Sequence, residues 1–231
     1  LIGTIIASFE SGAVSYLYYA DRVYQINLAI AGIAVGTVSL PALSRAFKNK
    51  NLKKLSSIQS KSFELSLLLS IPASLGLILA SEEIINALFG YGSFSKEDVK
   101  LTADALKYFG YGVPAFALVK ILSNFFFARD NTKTPFHISI GMVLINIFIS
   151  VSLFSRFGFI IIPIATSAAT WLGVLTYIYL LNKKKSLLLR IELIPNLIKI
   201  LSSTIIMSFV LILALNSCAT YLDYTYKFKV I

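Results

Sequence analysis

Charge is scarce in these 231 residues: Asp, Glu, Lys and Arg together make up 14%, against about 25% in an ordinary soluble domain. Cysteine and histidine are scarcer still. Cys218 is the only cysteine, which excludes an intrachain disulfide and a cysteine-rich metal site. His137 is the only histidine, whereas a zinc site needs about three or four ligands. Acidic residues number 11 against 21 Lys plus Arg, a net charge of +10. That excess does not point to nucleic acid, because the basic residues cluster in short loops between apolar runs and are not interleaved with stacking aromatics. Also missing are a nucleophile paired with a base, a phosphate-cradling glycine loop, and a pair of carboxylates inside the apolar segments. Enzyme chemistry is not supported, and no cofactor is called for.

What the chain has in quantity is apolar length. Hydrophobic residues make up 57%, the mean hydropathy is +0.79, and runs of about 18 or more apolar residues are long enough to cross a bilayer as helices. Strand-like alternation in segments of about ten residues, the mark of a membrane barrel, does not occur. The prediction is an all-α, polytopic membrane bundle of about seven segments. Segment one, 1–9, is too short to cross and reads as the end of a truncated helix. Segment two, 15–47, would reach roughly 48 Å against a hydrocarbon core of about 30 Å, so it must tilt or bend, with Asn27, Gly32 and Gly36 as candidate bending points. Segment three is 62–80. Ser81 then opens a short amphipathic piece with Glu82 and Glu83 in its first turn, where the helix dipole favours acids. Gly90-Tyr91-Gly92-Ser93-Phe94 reads as a turn. Segment four, 99–128, carries Gly110, Gly112 and Pro114 as an expected kink. Segments five, six and seven are 135–154, 159–181 and 193–218. The chain opens inside an apolar stretch without Met, basic leader or cleavage site, and ends after a short polar piece. This predicts a fragment of a larger protein: 1–181 as one lobe of about six membrane helices, and 182–231 as a basic loop plus an additional, truncated membrane helix.

Alternate loops carry unequal positive charge. One set holds Arg45, Lys48, Lys50, Lys53, Lys54, Lys61, Arg129, Lys133, Lys183, Lys184, Lys185 and Arg190; the other holds Lys96, Lys100, Arg156, Lys227 and Lys229. The positive-inside rule places the first set in the cytoplasm.

Arg22 is the most informative residue. It lies roughly 10 Å inside segment two, where an arginine facing hydrocarbon costs about 2.5–3.5 kcal/mol. Helical spacing puts Ser15, Tyr18, Tyr19, Arg22 and Gln25 along one broad face. Two readings stand: a stripe lining a hydrated cavity and offering a fork of donors to an anion, or a structural ion pair locking two helices. Asp21 points about a quarter-turn away and is expected to pair with another helix. Gly32 and Gly36 form a G-x-x-x-G, a spacing for close helix packing. Lys120, inside segment four, either snorkels or faces the cavity. Arg129, Asp130 and Lys133 read as a charged, topology-setting loop, His137 as an interfacial residue, and Asn146 and Thr166 as interhelical glue.

The run Ser11-Gly12-Ala13-Val14-Ser15-Tyr16-Leu17-Tyr18-Tyr19-Ala20-Asp21-Arg22, continued by Gly32 to Thr37 and by Leu40-Pro41-Ala42-Leu43-Ser44-Arg45, closely resembles the MurJ (MviN) family of lipid II flippases, in the MOP exporter superfamily. Tyr91-Gly92-Ser93-Phe94, Val119-Lys120, the run from Phe127 to Pro135, Ala165-Thr166-Ser167 and Ala169-Thr170-Trp171 agree as well. The resemblance covers residues 1–185. It implies a protein of two six-helix lobes plus a terminal helix pair, of which this chain is the second lobe, the N-terminal lobe being absent. It implies a cationic central cavity that alternates between two openings and moves lipid II, an undecaprenyl-pyrophosphate-linked disaccharide peptide, outward across the bacterial inner membrane for cell-wall synthesis. Arg22 matches the family's cavity arginine of this lobe and Ser15 a nearby cavity serine; Tyr18, Gln25 and Lys120 complete the expected substrate-binding set. Gln25 stands where some members carry Glu. Some members also bind sodium between helices matching segments one, five and six. Asn146 and Thr166 fit two of those ligands, but Gly3 and Ser150 replace the carboxylates, so no sodium site is expected. A related exporter of another polysaccharide-lipid or of a drug, and a non-transporting membrane scaffold, are the alternatives; a cation carrier would want acidic residues facing its cavity.

Overall fold

The computed structural model describes the backbone of residues 2–227 and the side chains of residues 3–217; Leu1 of the first segment and Lys229 of the charge count lie outside the described residues. The order is α1 (Ile2–Ala7), α2 (Ala13–Leu28), a π-helical stretch (Ala29–Ala34), α3 (Val35–Lys48), α4 (Leu52–Leu79), α5 (Ser81–Phe89), α6 (Lys96–Phe127), α7 (Lys133–Phe157), a 3-10 turn (Gly158–Ile160), α8 (Ile161–Lys183) and α9 (Leu193–Lys227). No strand occurs among the described residues. Five of the helical stretches are long and apolar enough to cross a membrane. One of them, Lys133–Lys183, has 51 residues, about 77 Å as a straight helix. It doubles back at Gly158, whose φ of 58° suits glycine, so α7 and α8 pack side by side. The chain is a multi-pass membrane protein. Its outward surface is apolar where a soluble protein would be polar, as at Phe148, Val151, Leu175, Ile205 and Phe209.

The α6 helix is the hub, packing against α2, α4, α5 and α8. It is the most buried of the five stretches and the least apolar. Pro114 supplies no N–H, which leaves the Gly110 carbonyl without its helical donor. The expected kink does not interrupt the helix: α6 runs unbroken, because neighbours supply donors. The Ser74 hydroxyl donates to the Gly110 carbonyl at 2.7 Å, Ser167 to the Tyr108 carbonyl at 2.8 Å, and the Trp171 indole N–H to the Tyr111 carbonyl at 3.0 Å.

Segment two is a single 36-residue stretch, Ala13–Lys48, and its irregularity falls at one of the expected places. The wide π turn includes Gly32, while Asn27 and Gly36 flank it. A Cβ on Gly32 would lie 3.2 Å from the Ala117 Cα, and one on Gly36 3.2 Å from the Asn124 amide nitrogen. Asn124 in turn donates to the Gly36 carbonyl at 2.7 Å. The glycine pair thus lets segment two and α6 approach closely.

Two expectations are corrected at the basic end. Segment three begins ten residues before the apolar run does: α4 starts at Leu52, with the Asn51 side chain capping the Lys54 N–H at 2.9 Å. Lysines 53, 54 and 61 depress hydropathy without opposing helix, so the apolar run marked the membrane boundary and not the helix end. Arg129 is not merely a topology charge. Half-buried, it donates to the Phe125 carbonyl and, at 2.8 Å, to the Ser186 carbonyl, and lies 5.5 Å from the Phe47 ring centre. Burial pulls its pKa below the usual arginine value. The linker 184–192 is likewise strung along α4. The Gln59 amide donates to the Ser186 carbonyl at 3.2 Å and accepts from the Leu188 N–H at 2.8 Å. Ser56 donates to the Leu188 carbonyl at 2.6 Å, and Ser60 accepts from the Arg190 N–H at 2.8 Å.

Candidate functional site

The α2 helix sorts its residues by period. Ala13, Leu17, Ala20 and Tyr24 are buried at the i, i+4, i+7 spacing of one helical face. Tyr24 stacks on Phe109 with ring centres 4.7 Å apart and sits 5.3 Å from Phe116, both on α6. Tyr19 fixes the flank, 4.7 Å from Phe89 and 5.5 Å from Phe94. With one face anchored, the opposite face is set: Ser15, Tyr18 and Arg22 are exposed and Gln25 is half-buried.

On that face the Arg22 guanidinium lies 4.8 Å from the centre of the Tyr18 ring, a cation–π contact. It also donates to the Gln25 side-chain carbonyl at 3.5 Å. Arg22 has no ion-pair partner among the described residues; the one ion pair there joins Arg190 and Glu192 at 3.8 Å. The locked-ion-pair alternative for Arg22 therefore finds no carboxylate among the described residues. Asp21 departs from expectation. It pairs with Gln25 of its own helix, one turn on, not with another helix. It lines a cleft of about 340 Å³ together with Thr4, Tyr18, Tyr24, Phe109 and Thr166. Asp21, Gln25, Arg22 and Tyr18 thus form a chain of contacts running from this cleft to the open face.

Lys120 is exposed on α6, and its Cγ lies 3.5 Å from where a Gly32 Cβ would stand. Gly32 is ten residues beyond Arg22, about 15 Å along the helix. Tyr18, Arg22 and Gln25 come together and Ser15 shares their face; Lys120 stands apart, toward the basic end.

Between α7 and α8 the Asn146 amide donates to the Thr166 hydroxyl at 2.9 Å, which itself donates to the Ile162 carbonyl at 2.7 Å. Gly3 shares a cavity wall with this pair, and the Ser150 hydroxyl is buried without a hydrogen-bond partner. Asn146, Thr166 and Ser150 are neutral, and the Asp21 cleft shares Gly3 and Thr166 with this cavity.

Two ties at the opposite end from the basic loops escaped sequence reading. The Glu10 carboxylate accepts from the Phe159 N–H at 2.7 Å, 149 positions away, which gives no local signal. The Tyr16 hydroxyl donates to Asp98 at 2.6 Å; Asp98 also forms a capping box with Ser95, and that half was visible as a Ser-x-x-acid spacing.

The family model described as "Lipid II flippase MurJ" matches residues 1–230. A probable lipid II flippase MurJ of Rickettsia prowazekii (strain Madrid E) is 37% identical over 229 residues, covering 98% of this chain and 44% of that protein. One from Rhizobium tropici is 36% identical over 212 residues, covering 92% and 40%. A solved structure, lipid II flippase MurJ in an inward closed conformation, superposes with a TM-score of 0.80 at 30% identity, covering 92% of this chain and 44% of that one. The chain spans less than half the length of these relatives.

Proposed function

This chain belongs to the MurJ family of lipid II flippases, and from that premise we propose that it forms the second lobe of a flippase that carries lipid II from the cytoplasmic to the periplasmic leaflet of the inner membrane. The open face of α2 is the wall this lobe turns toward a central cavity, completed by the N-terminal lobe. Arg22 binds the anionic pyrophosphate or peptide carboxylates of the substrate, and Ser15, Tyr18 and Gln25 line its approach. Lys120 adds positive charge deeper along the same seam. Alternating access then needs no covalent chemistry: the headgroup trades water for this polar lining while the cavity changes its opening.

One observation carries the reading. Arg22 sits in an apolar, membrane-length helix, on a face this chain leaves open, without a carboxylate partner in the described residues. Such a cation is costly unless another ligand or lobe meets it. Tyr18 and Gln25 hold the guanidinium in place while leaving its charge uncompensated.

The test is made in the full-length protein. Arg22→Ala is expected to abolish support of cell-wall synthesis in a flippase-depleted strain while the protein still inserts in the membrane. Arg22→Lys keeps the charge but loses the two-pronged donor geometry, and is expected to support growth only weakly. Normal growth with Arg22→Ala would reject the proposal.

A further inference from the structure

Another cavity, of about 480 Å³, opens between α4 and the start of α9, and none of the α2 site residues lines it. Its rim carries Lys61, Glu64, Arg190 and Glu192, two charges of each sign. Further along the two helices the lining is Leu65, Leu68 and Leu193, with Asn196 as the one polar side chain. This change falls where both helices pass from charged to hydrocarbon-like sequence: Lys61 immediately precedes the apolar run of α4, and Glu192 immediately precedes α9. The cavity is therefore at headgroup depth, with polar atoms facing the interface and apolar atoms facing the acyl region.

Its walls are fixed. The Arg190 N–H is bonded to the buried Ser60 hydroxyl at 2.8 Å, and the preceding linker is held by Gln59 and Ser56. Lys61 and Glu64, by contrast, have no ion-pair partner among the described residues, and Arg190 and Glu192 stand 3.8 Å apart with exposed side chains. The rim is a set of opposite charges held close but incompletely satisfied by one another.

We propose that this cavity binds the head of a zwitterionic phospholipid carrying a phosphate and a primary ammonium. The phosphate suits Lys61 and Arg190, the latter by its planar fork of donors. The ammonium suits Glu64 and Glu192, because its three N–H groups need acceptors. A purely anionic head would leave both carboxylates facing negative charge, and a choline head offers them no N–H at all.

The test uses purified full-length protein in detergent, titrated separately with dihexanoyl phosphatidylethanolamine, phosphatidylcholine and phosphatidylglycerol, with bound lipid counted by native mass spectrometry. Phosphatidylethanolamine is expected to bind about tenfold more tightly than either of the others, the size of one charge-assisted hydrogen bond. Glu64→Gln with Glu192→Gln is expected to erase the preference for phosphatidylethanolamine over phosphatidylcholine. Lys61→Gln with Arg190→Gln is expected to weaken all three. Equal binding of the three lipids by the unaltered protein overturns the proposal without reliance on any variant. So does a preference for phosphatidylglycerol, which would make the rim a plain basic patch, or the absence of binding, which would mean another part of the full protein fills the cavity.

Discussion

Arg129 shows how much one side chain can hold. It joins the end of α6, the linker after α8 and the Phe47 ring of α3, three elements far apart in sequence. Arg129→Ala leaves the Ser186 carbonyl only the longer Gln59 donor and is expected to cost about 2 kcal/mol, the scale of a charged hydrogen bond. Limited trypsin digestion checks this, since Lys184 and Lys185 should be cut sooner once the linker loosens; unchanged protection would show that Gln59 alone suffices. Sequence reading found Arg129 but gave it only a charge, because its partners lie in residues that carry no common pattern. The Asp21 pairing was more legible: Gln25 stands four residues on, within reach on the same helix. It was overlooked because an acid in an apolar segment suggests a partner elsewhere.

At the scale of elements, the apolar runs follow the order of the long helices because hydrocarbon thickness dictates their length. They gave the wrong start for α4, where charge and helix coexist. The Pro114 region of α6 offers a sharper test. Ser74→Ala leaves the Gly110 carbonyl unmet and is expected to cost about 1 kcal/mol, whereas Ser70→Ala should cost almost nothing, because the Ser70 hydroxyl has no partner to lose. Pro114→Ala restores a backbone donor and should make Ser74→Ala nearly silent; thermal unfolding of the four proteins in detergent closes the cycle. The π turn at Ala29–Ala34 has its own signature, since such a turn absorbs a surplus residue within an α-helix. Deleting one residue there is expected to leave Arg22 on its face, whereas deleting one residue within α2 below Arg22 rotates the two halves by about 100°, and transport reads the difference.

For the whole molecule, the all-helical class, the family and the open polar face of α2 followed from the sequence, because each is written in local spacing or in a long matched run. The arrangement around α6 did not, since it rests on contacts such as Ser74 with Gly110 and Ser167 with Tyr108 that no periodicity announces. That arrangement bears on how the protein is made. The helix most enclosed by its neighbours is also the one least suited to enter lipid alone, with Lys100, Asp104, Lys107 and Lys120 along its length. Three of its neighbours, α2, α4 and α5, leave the ribosome before it. Synthesis order therefore lets α6 enter the bilayer against surfaces already waiting, and a permuted gene that translates α6 first should leave that helix stalled outside the membrane.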